Sequence, residues 1–366
     1  METIKTYSFP RAGLLGNPSD GYFGKTVSFA FSDFGVELTL TESARLCFVP
    51  GEVDDATFAS PDDLVRDLRL YGYYGGIRLL KAVSKRFFEY CIKHDIALPK
   101  RNFTASYKIN IPRLVGLSGS SAICTAMLKA LMKFYEVTIP LEYQPTICLE
   151  AEKEELRINC GFQDRVIQIY NGLVFMDFNK SFVESHNHGI YERLDPAPFS
   201  TSTSSLLLYI AYDAQRAEES GEAHKEVKRL FEAKNSDVLA AMSEFADIAQ
   251  KGRDLLVAGQ LECGVGVGER SRRFADLINA NFDLRDRIFN VVEENRRMVM
   301  TVRSVGASAK FAGSGGAIVG TYEDDAQFAA LVHALGTIGC KTFRPTIATS
   351  DEAPEIRSAA ANWRNS

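Results

Sequence analysis

Residues 109–127 read INIPRLVGLSGSSAICTAM and place a strand, a Gly/Ser-rich turn and a helix in direct succession. Tyr107, Ile109 and Ile111 alternate with polar residues, as in a half-buried strand, and the apolar residues after Ser120 switch to helical spacing. The first N–H groups of a helix lack intrahelical partners, and the helix dipole is positive there. The turn is therefore predicted to bind phosphate through amides and hydroxyls. An isolated turn of this kind is more often a tight turn with a serine cap.

Two further Gly-rich segments accompany this turn. Residues 10–24 read PRAGLLGNPSDGYFG, and residues 310–317 read KFAGSGGA ahead of the apolar pair Ile318 and Val319. Three such segments in this order are a far stronger signal than any one of them alone. Together they favour a phosphate-binding enzyme over a coincidental turn.

The chain resembles the GHMP kinases, the superfamily of galactokinase, homoserine kinase, mevalonate kinase and phosphomevalonate kinase. That superfamily has an N-terminal PGR-type motif, a central Pro-x3-Gly-Leu-(Gly/Ser)-Ser-Ser-Ala phosphate loop and a late Gly-rich motif. The resemblance extends from Pro10 to Val319. Within the superfamily the chain looks most like the glucuronokinases, which phosphorylate the anomeric hydroxyl of D-glucuronic acid. The motifs that carry this resemblance are GNPSD, YGYYGG, IPRLVGLSGSSAI, CGFQDR, NFDLR and KFAGSGGAIVG.

The resemblance implies an α+β fold of two domains with the active site between them. The N-terminal domain, residues 1–195, would resemble ribosomal protein S5 and carry the phosphate loop and catalytic base. The C-terminal domain, residues 196–366, would be ferredoxin-like and carry the late Gly-rich motif on the substrate side. The aperiodic segment 185–205, rich in Ser, Thr, Pro and His, is the predicted boundary.

Composition limits the class of protein. With 366 residues and 46% hydrophobic content, the chain exceeds what one compact core usually holds. A net charge of −5 gives no reason to expect nucleic acid or an anionic membrane as a partner. Seven cysteines without a CxxC pair are typical of reduced, buried thiols, and the apolar run 206–211 is too short to span a bilayer. We expect a cytoplasmic protein.

Local periodicity predicts several elements. Residues 27–31 and 36–40 alternate on either side of a turn at 32–35, which is the pattern of a β-hairpin. Helices are predicted over residues 77–91 and 145–156, and strands over residues 173–178 and 206–212.

Phosphoryl transfer to a sugar hydroxyl needs a phosphate cradle, a metal ion and usually a carboxylate that accepts the proton. Asp164 in CGFQDR opens a predicted short helix, and in isolation it could be an ordinary N-terminal helix charge. By resemblance to the Gly-x-x-Asp motif of galactokinases, Asp164 is the proposed catalytic base. Arg11 stands where the superfamily has Lys or Arg near the reacting groups, and Arg165 could pair with Asp164 or with the substrate.

The resemblance also assigns ligands for ATP and Mg²⁺. Magnesium is assigned to Ser121 and Glu152, with Ser120 and Glu150 as alternatives if the register differs. Glu152 lies in the charged run EAEKEE, which could equally be a solvated helix face. The phosphate loop has one more residue between Gly116 and Ser120 than the usual pattern, and its assigned ATP-binding residues are Gly116, Leu117, Ser118, Gly119, Ser120, Ser121 and Ala122.

Asn17, Asp20 and Gly315 are assigned to the sugar. Against the galactokinase pattern Gly-Glu-His-Thr-Asp, the chain reads GNPSD at residues 16–20, so Asn17 replaces a Glu that approaches C6 of the sugar. Asn there removes a like-charge repulsion against a uronate and can donate a hydrogen bond. Asp20 is retained to accept hydrogen bonds from sugar hydroxyls.

Some contacts stay open at this stage. The cation that meets the uronate carboxylate could be Arg216, Arg285 or Lys25, and surface placement is the plainer interpretation of each. The turn 71–76, YGYYGG, is a candidate nucleotide or substrate loop.

The leading hypothesis is an ATP-dependent glucuronokinase that forms D-glucuronate 1-phosphate. Another sugar kinase of the superfamily, such as a galactokinase or heptose kinase, is the alternative within the same class. A catalytically silent relative that binds sugar and ATP as a sensor is the alternative from another class. Retention of Asp164, Glu152 and Ser121 together disfavours the sensor.

Overall fold

Three four-stranded sheets form the framework of the computed structural model, which describes residues 2–51, 54, 60–61, 75–200, 206–213, 221–261 and 267–350. The strands within these ranges are β1 Thr3–Ser8, β2 Arg11–Leu15, β3 Lys25–Ala30, β4 Val36–Ser43, β5 Cys47–Phe48, β6 Asn102–Ile109, β7 Leu173–Asp177, β8 Ile190–Leu194, β9 Leu207–Asp213, β10 Lys310–Phe311, β11 Ala317–Tyr322 and β12 Cys340–Phe343.

The helices of the described ranges connect and cover these sheets. They are α1 Gly76–Lys93, α2 Gly119–Phe134, α3 Gln144–Glu150, α4 Gln163–Tyr170, α5 Lys180–His186, α6 Ala197–Ser200, α7 Gly221–Glu232, α8 Ser236–Leu261, α9 Val267–Ile288, α10 Glu293–Ser304 and α11 Asp325–Gly336. A 3-10 turn spans Ser19–Tyr22, and a π turn spans Ala151–Glu155. No helix of the described residues is long and apolar enough to cross a membrane.

The sheets divide the chain near its middle. Their strand orders are β1-β4-β6-β5, β2-β3-β7-β8 and β10-β11-β9-β12. The first two contain only strands that end by residue 194, and the third contains only strands that begin at residue 207 or later. The predicted boundary at residue 195 falls in this gap, although one cluster of buried apolar side chains runs through both halves. The two-domain division stays a prediction.

The predicted hairpin is wrong. Strands β3 and β4 both exist, but β3 pairs with β2 and β7, whereas β4 pairs with β1 and β6. The turn at 32–35 therefore carries the chain from one sheet to another. Alternation reports which side chains face a core, and it does not report which strand lies alongside.

Two other elements differ from the expectation. The segment 185–205 contains β8, whose pairing with β7 completes the second sheet. Its side chains are mostly half-buried or exposed at a sheet edge, which explains the weak periodicity. The predicted helix 145–156 ends as an α-helix at Glu150 and continues as the π turn, which buries Glu152.

Helix α2 fixes the position of the phosphate loop. Its Ile123, Met127 and Leu131 are fully buried, and the helix packs on β1 and β4. Burial of one such side chain contributes roughly 1.5–3 kcal/mol. The hydroxyl of Thr6 also donates to Ala126 O at 2.8 Å. The N-terminus of α2 is therefore held rigidly where the loop enters it.

Candidate active site

The loop before α2 has the conformation of an anion site. Leu114, Gly116 and Ser118 have positive φ angles of 55°, 74° and 65°, so the backbone turns sharply into the helix. Ser118 is the N-cap, and its carbonyl accepts from Ala122 N at 3.2 Å. The N–H groups of the first turn are left for a ligand. Gly119 and Ser120 line a cavity of about 470 Å³.

The three Gly-rich segments meet at this cavity. Gly13 N donates to Ala312 O at 2.7 Å, and Nη1 of Arg11 donates to Gly116 O at 2.7 Å and to Ala312 O at 3.0 Å. A Cβ on Gly313 would lie 2.2 Å from Gly116 O, so only glycine allows this approach of the two backbones. One guanidinium thus ties residues from the beginning, middle and end of the chain together.

Asp164 lies at the N-terminus of α4 and faces the cavity. Its Oδ1 accepts from Nε of Arg11 at 2.7 Å, and its Oδ2 accepts from the Ser118 hydroxyl at 2.7 Å. Burial by itself would raise the pKa of Asp164, but the charges of Arg11 and Arg165 and these two hydrogen bonds outweigh it and lower the pKa. The carboxylate is therefore ionised at neutral pH.

Asp20 is the second carboxylate of the cavity. Its Oδ2 accepts from Gln163 N at 3.2 Å, at the start of the same helix. Burial and the negative charge of Asp164 raise the pKa of Asp20 to about 6. The two environments thus push the carboxyl pKa values apart, a pattern that is typical of catalytic sites.

Asn17 is held by a lysine and an asparagine from the C-terminal half. The ammonium of Lys310 donates to Oδ1 of Asn17, and Nδ2 of Asn281 donates to Asn17 O at 3.1 Å. Oδ1 of Asn281 accepts from Gly16 N at 2.6 Å. Burial, with the nearby charges of Arg285 and Arg11, lowers the pKa of Lys310 well below its usual value. The turn that carries Asn17 is therefore fixed on both sides.

Glu152 is fully buried and pairs with Arg165, which is 2% exposed. Its Oε2 accepts from Nε of Arg165 at 2.8 Å and also from Nη2, while its Oε1 has no hydrogen-bond partner among the described residues. The hydroxyl of Ser121 donates to Ser118 O at 3.2 Å. In the alternative carboxylate, Glu150, Oε2 lies 3.6 Å from Nη1 of Arg86.

The cavity brings most of the predicted site residues together. Those that line it are Arg11, Asn17, Asp20, Gly116, Leu117, Ser118, Gly119, Ser120 and Asp164, whereas the buried residues Ser121, Ala122, Glu152 and Gly315 do not line it. Of the three candidate cations, Arg285 lines the cavity, and Lys25 is instead 3.2 Å from Asp177. Arg216 and residues 71–74 of the YGYYGG turn lie outside the described residues.

The sequence analysis missed two residues of this site. Lys310 opens the late Gly-rich segment, and the signal that could have identified it is that no other charged residue lies between Arg303 and Glu323. Asn281 begins the NFDLR segment, which is one of the motifs that resemble the glucuronokinases. Neither contact is visible in local periodicity because the partners are 293 and 264 residues away.

Comparison with known proteins identifies the family. Residues 78–172 match the family described as GHMP kinases N terminal domain. Glucuronokinase 1 of Arabidopsis thaliana is 41% identical over 324 residues, which cover 86% of this chain and 84% of that protein. Probable glucuronokinase 2 of the same plant is 42% identical over 321 residues, which cover 85% and 82%.

The fold also matches a solved structure. Lactococcus lactis galactokinase complexed with galactose superposes with a TM-score of 0.72 at 14% identity, covering 96% of this chain and 95% of that one. This likeness confirms the predicted α+β fold class. The identity and coverage of the two plant relatives show that the chain belongs to the GHMP kinase family, as the three Gly-rich segments predicted.

Proposed function

We propose that the protein is a glucuronokinase, which transfers the γ-phosphoryl group of ATP to the anomeric hydroxyl of D-glucuronic acid. The products are D-glucuronate 1-phosphate and ADP. The similarity to two glucuronokinases over most of the chain supports the substrate class. The observation that carries the chemistry is Asp164, held by Arg11 and Ser118 beside the N-terminus of α2.

The phosphate chain of ATP binds the loop of residues 116–122. The amides of the first turn of α2 lack intrahelical partners, and the positive end of the helix dipole favours the negative charge of the phosphates. Gly119 and Ser120 offer this surface to the cavity directly. Ser121 and Ala122 follow in the same first turn of the helix.

Asp164 accepts the proton of the anomeric hydroxyl. As the hydroxyl oxygen forms its bond to the γ-phosphorus, the bond from that phosphorus to the β,γ-bridging oxygen breaks, and ADP leaves. Arg11 holds the carboxylate in place through Nε and offers positive charge beside the transferring group. Because the pKa of Asp164 is lowered, its basic form is present throughout the physiological pH range.

One observation supports a magnesium ion at Glu152. Oε1 of Glu152 is a buried carboxylate oxygen without a hydrogen-bond donor among the described residues, which suits a cation ligand. Glu152, with the hydroxyl of Ser121 or Ser120, would hold the ion, and Arg165 would orient the carboxylate through its other oxygen. When bound, magnesium neutralises charge on the β- and γ-phosphates.

The sugar lies between Asp20, Asn17 and the late Gly-rich segment that contains Gly315. Asp20 accepts hydrogen bonds from sugar hydroxyls, and Asn17 faces the C6 carboxylate. Arg285 lines the same cavity, and its Nη1 and Nη2 donate to Gly313 O at 2.9 Å and to Ser314 O at 2.7 Å. Of the candidate cations among the described residues it is the one that lines the cavity, which supports it as the partner of an acidic sugar.

The test is an assay of the purified protein with ATP, magnesium and a panel of neutral and acidic sugars, with formation of ADP and of sugar 1-phosphate as the readouts. We expect glucuronate to have the highest kcat/KM. Preference for galactose or a heptose would assign the protein to another sugar kinase of the family. Binding of sugar and ATP without any turnover would favour the sensor.

A further inference from the structure

Lys310 is a buried lysine that contacts Asn17, a residue that lines the cavity. Its side chain is 1% exposed, and Nζ donates to Gly13 O at 2.6 Å, to Phe311 O at 2.9 Å and to Oδ1 of Asn17. Three acceptors require three donors, which the amine possesses only when it is protonated, so these contacts are those of the ammonium form. Burial and the charges of Arg285 and Arg11 oppose that form by lowering the pKa of Lys310, and negative charge on a bound ligand would raise the pKa again. All three acceptors are uncharged oxygens.

The charge of Lys310 is not balanced by a nearby carboxylate. Within the described part of the chain no carboxylate forms an ion pair with Lys310, and the charges that act on it most are those of Arg285 and Arg11. The negative charge of Asp164 is already engaged by Arg11. A buried ammonium without an anionic partner is costly, so the cavity beside Asn17 favours a ligand that brings negative charge.

The same lysine determines how the Asn17 amide is turned. Because an ammonium group can only donate, the atom of Asn17 that faces it must be the oxygen. The amide nitrogen is then the other end of the group, and its contact to Phe311 O is long, at 3.5 Å. Asn17 lines the cavity, so the amide offers a weakly used N–H donor to a bound sugar.

We propose that Lys310 is a positioning residue that makes the site specific for an acidic sugar, because it turns the N–H donors of Asn17 toward the cavity and supplies positive charge behind them. The carboxylate of the sugar is the counter-ion that this charge lacks. The inference rests on the proposed function, and it explains how a neutral asparagine can select an anion.

Lys310 also changes what an acidic substitution at residue 17 would do. Considered alone, Asn17→Asp would repel a uronate carboxylate. In this structure the new carboxylate would first form an ion pair with Lys310, neutralise it, and leave no donor toward the cavity. A buried pair of this kind is compatible with folding, since each charge then has a partner.

The test compares Lys310→Met, Asn17→Asp and wild type by kcat and KM for glucuronate and for a neutral hexose. Lys310→Met is expected to raise the KM for glucuronate roughly 10- to 100-fold, with little change in kcat or in the KM for the hexose or ATP. Where hexose turnover is too slow to measure, its Kd replaces the KM. Lys129→Met is the matched control, because Lys129 is also a buried lysine that donates to backbone carbonyls. It should leave unchanged the ratio of kcat/KM for glucuronate to kcat/KM for the hexose.

Asn17→Asp keeps the proposal testable if Lys310→Met fails to fold. It should lower the same ratio to a similar extent while retaining ATP affinity. If folded Lys310→Met keeps the wild-type preference for glucuronate, or if Asn17→Asp keeps it when Lys310→Met cannot be obtained, this inference is wrong and the proposed function stands. If wild type does not use glucuronate, the proposed function fails, and the inference fails with it.

Discussion

Replacement of Asp164 by asparagine removes one negative charge and little else. The substituted side chain would keep an oxygen for Nε of Arg11, which is 2.7 Å from Oδ1 of Asp164. The new amide nitrogen would face the Ser118 hydroxyl, which can rotate and accept instead of donating. The hydrogen-bond count of the site is therefore preserved, and Asp164→Asn should fold.

The expected loss of rate follows from the role of the carboxylate. A positioned general base contributes about 10²–10⁴-fold, which corresponds to about 2.7–5.4 kcal/mol of activation free energy. The charge beside Arg11 and Arg165 is lost as well, and weakening a charged hydrogen bond should lower the free energy of unfolding by about 1–3 kcal/mol. We expect kcat to fall by two to four orders of magnitude, with ATP affinity close to that of wild type.

The assay measures kcat at saturating ATP and glucuronate, the Kd of ATP, and Tm. Asp177→Asn is a matched control, because Asp177 is also 22% exposed and also has a cationic partner, Lys25 at 3.2 Å, yet it does not line the cavity. It should retain nearly full kcat. If Asp164→Asn stays within tenfold of wild type, Asp164 is not the base, and its carboxylate only positions Arg11.

Three further predictions concern the metal, the second carboxylate and the glycine contact. Glu152→Gln should raise the magnesium concentration needed for half-maximal rate, because the buried carboxylate oxygen is lost as a ligand, whereas the control Glu154→Gln, at an exposed carboxylate of the same run, should leave it unchanged. An unaltered magnesium requirement in Glu152→Gln would assign that residue to structure alone. Because the pKa of Asp20 is about 6, kcat/KM for the sugar should rise through about pH 6, and Asp20→Asn should abolish that limb. The raised pKa means that folded-state stability is lost as pH increases from about 4 to about 6, so Tm of Asp20→Asn relative to wild type should increase over that range, and a constant difference would contradict the assignment. Gly313→Ala should lose activity and lower Tm because its Cβ would lie 2.2 Å from a carbonyl oxygen, and Gly336→Ala, where a Cβ meets nothing, should do neither; an active Gly313→Ala would show that the two loops can separate.

The local features of the site were predictable from the sequence. The Gly/Ser turn with α2, and Asp164 at the first turn of α4, depend on backbone preferences of residues close together in the chain. The three Gly-rich segments predicted the family for a related reason, since glycine is required where two backbones approach as closely as Gly313 and Gly116 do. Such requirements act on individual residues, so the sequence alone records them.

Tertiary structure alone decided which elements and charges became partners. The alternating segments 27–31 and 36–40 look like one hairpin, yet they belong to different sheets, because alternation fixes the buried face and leaves the neighbour open. The run EAEKEE looks solvated, yet the π turn buries Glu152 against Arg165. Lys310 and Asn17 meet across 293 residues of sequence. Whether a buried charge has a partner depends on the packing of distant segments. Only the folded chain could therefore show an ammonium group that contacts Asn17 and has no carboxylate paired with it in the described part of the chain.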